Sequence, residues 1–446
     1  MANSINVLIL GEGGREHAIA CKIKESPLLN KLYVSPGNSG TQMVAENIPP
    51  MTTSGINITE IKYTILDKNI HLLIIGPEAL LVEGIHDELL NDGRFKNLII
   101  IGPKKIGAQL EGSKLFAKEF MQKYNIPTAK FKSFTKDDFP LIEKYLKTTT
   151  PPFVIKADGI AAGKGVFICD NIEDSMREIK AMMLDEKFGN AGKTIVIEEF
   201  LQGIELSVFI LTNGKDYKLL PIAKDYKRIG EGDKGLNTGG MGAISPVPFV
   251  DNKFLDKIKN QIILPTLDGL QKENIEYSGF IFFGLINVKG KPMVIEYNAR
   301  LGDPETQAVM PRIESDFLEL LSNINHPEKF SKHKVSISNK TAMTIIITSG
   351  GYPETYQNGF VIEGLTKIKN SMVFHAGIKN TKIYSDGIYQ NKKKYVTNGG
   401  RVLAITSLRE NLQASIKQSY KSADCIKFKN MYFRKDLGLD LLNEFF

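Results

Sequence analysis

The chain has 446 residues, 42% of them hydrophobic, which is enough for about three globular cores. Its formal net charge of +7 comes from 57 Lys and Arg against 50 Asp and Glu. A nucleic-acid binder would cluster more basic charge beside aromatics, whereas a mild excess suits a protein that handles phosphates. No run approaches the roughly 18 apolar residues of a membrane span. Cys21, Cys169 and Cys425 are too scattered for a disulfide frame or zinc site. MANSINVLIL lacks the basic flank of a secretory leader, so the expected setting is cytoplasmic.

In chain order, residues 1–102 alternate strand and helix. The apolar runs Ile5–Leu10, Leu32–Val34, Leu72–Ile75 and Leu98–Ile101 read as buried parallel strands of one doubly wound domain. Gly76-Pro77 and Gly102-Pro103 turn the chain at strand C-terminal ends, where open α/β sheets bind ligands. Residues 112–123 have a helical period. FVIKAD and VFICD are strands flanking a glycine loop, and TIVIEEFL, ELSVFIL and YKLLP follow as further strands. A glycine-rich stretch, 229–242, precedes a helix at about 252–271. GFIFFGLINV and PMVIEYNA then pair as an antiparallel hairpin across Lys289-Gly290. From about 330 the chain reads as a small α+β domain, with Lys392-Lys393-Lys394 expected in a solvated loop.

Three stretches carry chemistry. In LILGEGGREHA, Gly11 and Gly13 match the start of a dinucleotide fingerprint, but Glu16 stands at the third glycine position and no acid is placed after Val34. The remaining physics is that of a helix N-terminus offering N–H groups to an anion, with Arg15 adding a positive fork. A small phosphate site is the reading, with a plain strand-to-helix turn and a dinucleotide site as alternatives. His17 reads as a helix-packing residue. In FVIKADGIAAGKGVFICD the spacing refuses a P-loop, because Lys164 takes a glycine's place and Gly165 that of the metal-binding hydroxyl. It instead reads as a hairpin tip whose Gly159, Gly163 and Gly165 let amides close over phosphates, with Lys156 in reach. In VIEYNAR, Glu296 and Asn298 share one face of a strand and suit Mg²⁺, which takes few protein oxygens plus phosphate oxygens and water; Arg300 follows on the same alternation. VIEEFLQGIE, 196–205, could serve as an interdomain hinge using backbone near Phe200 and Leu201 for adenine and Glu205 for ribose; a solvated turn is the alternative.

Taken together, GGREHA (13–18), GPE (76–78), QLEGSK (109–114), IKADG (155–159), AAGKGV (161–166), VIEEFL (196–201), NTGGMGA (237–243), GDPETQ (302–307), SGGYP, FHAG and TNGGRV resemble the phosphoribosylamine–glycine ligases, the glycinamide ribonucleotide synthetases of the ATP-grasp superfamily. The resemblance spans nearly the whole chain. It implies an α/β and α+β multidomain fold: a Rossmann-like substrate domain over 1–103, a central ATP-grasp domain over 104–330 with a mobile subdomain at about 124–194, and a C-terminal α+β domain over 331–446. It implies ATP-dependent ligation of glycine to 5-phosphoribosylamine through glycyl phosphate in purine biosynthesis, with Mg²⁺ or Mn²⁺. By that resemblance Glu296 and Asn298 hold the metal. Lys114, Lys156 and the loop Asp158, Gly159, Gly163, Lys164 and Gly165 bind the ATP phosphates. Glu198, Glu199, Phe200, Leu201 and Glu205 hold adenosine. Arg300, with Lys156, serves catalysis by orienting the glycine carboxylate or its acyl phosphate. Gly13, Gly14, Arg15, Glu16, Pro77, Glu78, Asn237, Gly239, Gly240, Arg300 and Asp303 receive the substrates. A monomer or weak homo-oligomer is expected, without nucleic acid, membrane or fused purine enzyme.

Leu80, Tyr226, Tyr297 and Leu301 depart from residues usual in that family, Tyr226 standing where a histidine is usual. The competing readings are another ATP-grasp ligase acting on bicarbonate or formate, a nucleotide-dependent oxidoreductase, and a nucleic-acid binder.

Overall fold

The computed structural model describes residues 4–50, 57–160, 165–385 and 388–445. Ile5–Gly11 is the central strand of a five-stranded parallel sheet, flanked by Leu29–Pro36 and then Glu46–Asn47 on one side, and by Leu72–Ile75 and then Ile99–Ile101 on the other. The apolar runs are the strands, buried on both faces as a parallel sheet requires. Glu46–Asn47 joins the sheet without an apolar signal, being only two polar residues long. The chain winds to one side first and then returns, so the strand order reverses between Ile5–Gly11 and Leu72–Ile75. That switch point brings Gly11 and Gly76 side by side at the strand ends, where ligands enter such sheets.

Two antiparallel sheets make the central body. Phe131–Thr135, Thr194–Glu199, Phe153–Ala157 and Val166–Cys169 form the smaller one, in that spatial order. The helices Phe139–Leu146 and Ile172–Met183 lay Ile142, Leu146, Ile179 and Met182 on its apolar face. Tyr217–Leu219, Ile204–Thr212, Gly279–Val288 and Lys291–Asn298 form the larger. Its hairpin turns at Lys289 and Gly290, whose φ values of 50° and 81° match the twist of the strands they join. The expected helix near 252–271 is a single rod over residues 252–272, interrupted by a wider turn at Lys259–Ile263 just before Pro265, which has no N–H to continue the ladder. The two sheets are consecutive in the chain, joined by residues 200–203.

The last large sheet orders Lys224–Asp225, Gly242–Ser245, Thr341–Ser349, Arg401–Arg409 and Met372–His375, with Met431–Tyr432 added to Thr341–Ser349. Its first two strands precede residue 331, so the tail shares its sheet with the central segment. Lys392-Lys393-Lys394 does not lie in a loop: it belongs to Ile388–Thr397, paired with Ile378–Ser385 in a two-stranded ribbon. Its YQNKKKYV sequence carries no apolar alternation to reveal a strand.

The glycine-rich stretch becomes the hairpin Arg228–Gly230 and Lys234–Asn237. Arg434, 2% exposed, clamps it by donating to the Arg228 carbonyl at 3.0 Å and to Asp233 at 2.8 Å. Beside it Tyr226 is buried. Its hydroxyl donates to Asp440 at 2.6 Å and accepts the N–H of Gly438 at 3.0 Å, while Lys224 Nζ lies 3.7 Å over its ring. Tyr226 therefore fastens the C-terminal segment. Tyr226→Phe leaves the Gly438 N–H without its acceptor and takes one partner from Asp440, which keeps Lys224 at 3.0 Å, so it should lower the unfolding free energy by about 1–2 kcal/mol in urea titrations.

Candidate active site

Helix Lys114–Lys123 starts at Ser113, whose hydroxyl accepts the N–H of Phe116 at 3.0 Å. Lys114 and Lys118, four residues apart, share one face of that helix. Lys118 is 2% exposed and lies 2.8 Å from Glu198 Oε2, while Lys156, on Phe153–Ala157, lies 2.8 Å from Glu198 Oε1. Burial, more than Glu198 offsets, pulls the Lys118 ammonium down to about 8. Lys114, Lys118, Lys156, Glu198 and Glu296 line a narrow cleft together with Leu110, Ala117 and Met121. Mixed apolar walls and cationic groups suit a nucleotide.

Several expectations change here. Glu198, expected to hold adenosine, is also the buried counter-ion of two lysines. Lys118 escaped the sequence reading, although its spacing from Lys114 was visible. Asp158 is engaged by the protein: its Oδ1 accepts the Ser113 hydroxyl at 2.9 Å and the Leu115 N–H at 3.1 Å, tying the hairpin base to the Lys114 helix. Glu199 accepts the N–H of Lys130 at 2.9 Å. Phe200 is exposed and Leu201 half-buried at the connection between the sheets. Glu205 pairs with Lys227 at 2.8 Å. Gly159 has φ of +149°, a backbone shape that excludes side chains, and Gly165 accepts the N–H of Ala157 at 2.9 Å at the hairpin's other stem. Gly163 and Lys164 lie outside the described residues.

Glu296 and Asn298 stand two apart on Lys291–Asn298. Burial pushes the Glu296 carboxyl up, but Lys227, Lys114, Lys156 and Arg300 together outweigh it and hold Glu296 below the usual range. Among the described residues Glu296 has no ion-pair partner within 4.0 Å, and the Asn298 amide nitrogen is buried without a hydrogen bond. One ionised carboxylate and one amide oxygen on a strand face fit a hard divalent cation that takes its other ligands from phosphate and water. Among the described residues no three His, Cys, Asp or Glu side chains gather as a self-sufficient metal cluster.

Arg300 is not a free anion receptor. It lies 2.8 Å from Glu111 Oε1, and its Nε lies 3.4 Å from Glu78 Oε2 without a hydrogen bond. Glu111 also accepts the N–H of Ala299 at 2.7 Å, and burial pushes its carboxyl up despite Arg300. Glu78, just after Pro77 at the start of Glu78–Glu83, is held below its ordinary value because Arg300 and Arg15 outweigh its burial. The N-terminal turn is likewise filled from within. Glu16 Oε2 accepts the Gly13 N–H at 2.7 Å, Arg15 Nε donates to Glu16 Oε1 at 2.6 Å, and Asp303 Oδ2 accepts the Arg15 N–H at 3.3 Å. The expected free amides at Gly13 and Arg15 are therefore occupied by the protein's own carboxylates. A Cβ on Gly14 or Gly76 would run into Gln307 or Glu16, so both glycines serve close approach. Asn237, Gly239 and Gly240 close on the same junction, where a Cβ on Gly240 would strike Pro304.

Models of three successive domains of phosphoribosylglycinamide synthetase match the chain: the N domain over residues 5–111, the ATP-grasp (A) domain over 112–306 and the C domain over 342–440. A phosphoribosylamine–glycine ligase of Fusobacterium nucleatum is 41% identical over 436 residues, covering 97% of this chain and 98% of the relative. A bifunctional purine biosynthetic protein of Schizosaccharomyces pombe is 42% identical over 448 residues; the match covers 98% of this chain and 54% of that longer protein. Among solved structures, the phosphoribosylamine–glycine ligase of Thermotoga maritima aligns with a TM-score of 0.79 at 33% identity, covering 97% of this chain and 100% of that one. A biotin carboxylase domain of Hydrogenobacter thermophilus shares the fold at 16% identity, with a TM-score of 0.67 and 96% and 91% coverage. Fold and cleft are those of an ATP-grasp enzyme. Within that class the chain belongs to the phosphoribosylamine–glycine ligase family. No helix among the described residues is long and apolar enough to cross a membrane.

His17 packs its helix as expected, and also latches two domains. Its Nδ1 accepts the N–H of His375 at 2.8 Å, and His375 Nδ1 meets the Ser39 hydroxyl at 2.9 Å. Burial, and for His17 also His375, lowers the two rings from 6.5 to about 3 and about 4. In the unfolded chain both bind protons near 6.5, so stability falls as pH drops below about 6.5 toward 4. Urea midpoints compared at pH 7.5 and 5.0 should show a smaller loss in His375→Gln than in the wild type; equal losses would remove the latch from the account. Separately, Lys118→Met takes the partner from Glu198 Oε2 but leaves the Lys156–Glu198 pair, so it should cost about 1–3 kcal/mol of stability in urea titrations; adding Glu198→Leu, which leaves buried Lys156 without a counter-ion, should cost more, not less.

Proposed function

We propose that the protein uses ATP to join glycine to 5-phosphoribosylamine, giving glycinamide ribonucleotide, ADP and phosphate. The observation that carries this reading is the cleft lined by Lys114, Lys118, Lys156, Glu198 and Glu296, with Glu198 paired to Lys118 and Lys156, within a chain matched over 97% of its length by a relative of this ligase family.

The chemistry follows from the substrates. A carboxylate is a poor electrophile because its charge is delocalised and its leaving group would be oxide. Transfer of the ATP γ-phosphoryl group to a glycine oxygen makes glycyl phosphate and ADP. The amine of phosphoribosylamine then attacks the acyl carbon, the C–O bond to phosphate breaks, and the nitrogen loses a proton. The protein's task is alignment and charge neutralisation. Lys114 and Lys156 would contact the phosphates, with Glu198 holding Lys118 and Lys156 in place. Glu296 and Asn298 would hold Mg²⁺ or Mn²⁺, which supplies positive charge to the ATP β- and γ-oxygens. Arg300, its charge shared with Glu78 and Glu111, would orient the glycine carboxylate by exchanging one of those partners for it. The turn at Gly13–Glu16, with Pro77 and Glu78 beside it, forms the wall for the ribosylamine. No side chain is required as a covalent nucleophile.

A coupled ADP-release assay with freshly generated phosphoribosylamine tests the reading: release should require both glycine and the amine. Dependence on bicarbonate or formate in place of glycine would overturn it. Glu296→Gln should lower kcat about 100-fold or more while leaving the urea midpoint near the wild-type value, and part of the loss should return at high Mg²⁺. Normal turnover of that variant at low Mg²⁺ would remove Glu296 from the metal site.

A further inference from the structure

Asp303 stands where the three domains meet. Its Oδ2 takes the Arg15 N–H of the N-terminal turn at 3.3 Å, and its Oδ1 takes Gln307 Nε2 at 2.8 Å. From the C-terminal domain, Arg401 Nη1 lies 3.4 Å from the same Oδ1, donates to the Asp303 carbonyl at 2.7 Å, and also donates to the carbonyl of Gly239. Tyr352, from the same domain, accepts the N–H of Gly239 at 2.9 Å. A Cβ on Gly239 would lie 3.0 Å from the Arg401 guanidinium carbon, so the loop and the arginine pack face to face. Burial pushes the Asp303 carboxyl up, yet Arg401 and then Arg15 outweigh it and keep it below its ordinary value. One guanidinium thus holds two carbonyls and a carboxylate on two loops. All three contacts are made by Nη1, and a lysine ammonium ends one bond short of that position. Arg401 does not line the cleft formed by Lys114, Lys156 and Glu296.

We propose that Arg401 is a positioning residue for the phosphoribosylamine wall, through which the C-terminal domain fixes residues 237–240 and 302–303 against the turn at Gly13–Arg15. This rests on the ligase reading above. The cost of losing Arg401 falls on the amine substrate, because the loops it joins back that wall through the Asp303–Arg15 contact, while the nucleotide cleft keeps its own lysines and carboxylates.

The test uses the full chain with Arg401→Ala and Arg401→Lys, varying phosphoribosylamine, glycine and ATP in turn. The KM for phosphoribosylamine should rise about 10- to 100-fold in both variants, with the KM for ATP within about twofold of wild type. Methylguanidinium in the assay should restore part of the loss in Arg401→Ala. Urea midpoints show whether each variant is folded; if the alanine variant is not, the lysine variant carries the test. An unchanged KM for phosphoribosylamine, or a parallel rise in the KM for ATP, would overturn the proposal. Wild-type protein that releases no ADP with glycine and phosphoribosylamine would instead overturn the ligase reading, and this proposal with it.

Discussion

A single buried carboxylate, Glu198, holds the nucleotide cleft together. It lies one residue before the end of the strand that leads into the connection between the two central sheets, and it meets Lys156 from the smaller sheet and Lys118 from the helix Lys114–Lys123, each at 2.8 Å. Two ammonium groups in an apolar site would expel each other or lose protons. One carboxylate between them neutralises half the charge and leaves a net positive floor for a polyphosphate. The same bond couples the two sheets, so the cleft's electrostatics and its shape have a common origin.

Elsewhere the site shows the opposite balance. Arg300 is matched by Glu78 and Glu111, and Arg15 by Glu16, with Asp303 on its main-chain N–H. These cations are held by internal carboxylates in defined orientations. Pairing of this kind avoids burying unpaired charge and presents the cations in a preformed network.

Much of this was legible along the chain. Parallel strands buried on both faces read as unbroken apolar runs, Lys289-Gly290 read as a tight hairpin, and the alternation of Glu296 and Asn298 put both on one strand face. The ribbon holding Lys392–Lys394 was hidden because it lacks alternation, and Glu46–Asn47 because a two-residue strand has no period. Sequence spacing also failed where a side chain's partner is remote in the chain. Glu198 looked like a hinge acid until Lys118 and Lys156 met it, and Asp158 like a phosphate-loop acid until Ser113 and Leu115 claimed it.

The sequence by itself determined which residues could carry charge, turn the chain or approach closely, because those are properties of side-chain chemistry and of local periods of 2 and 3.6 residues. It also determined the family, through many short motifs in order. Only the tertiary structure decided which charges neutralise which. The Asp303 cluster joins residues 15, 239, 303 and 401, and pairing across such separations depends on how the sheets close on one another. The free amides inferred at LILGEGGREHA were lost for that reason: Glu16, one turn along its own helix, and Asp303, from another domain, fold back onto the N–H groups that a strand-to-helix turn would otherwise offer to a phosphate.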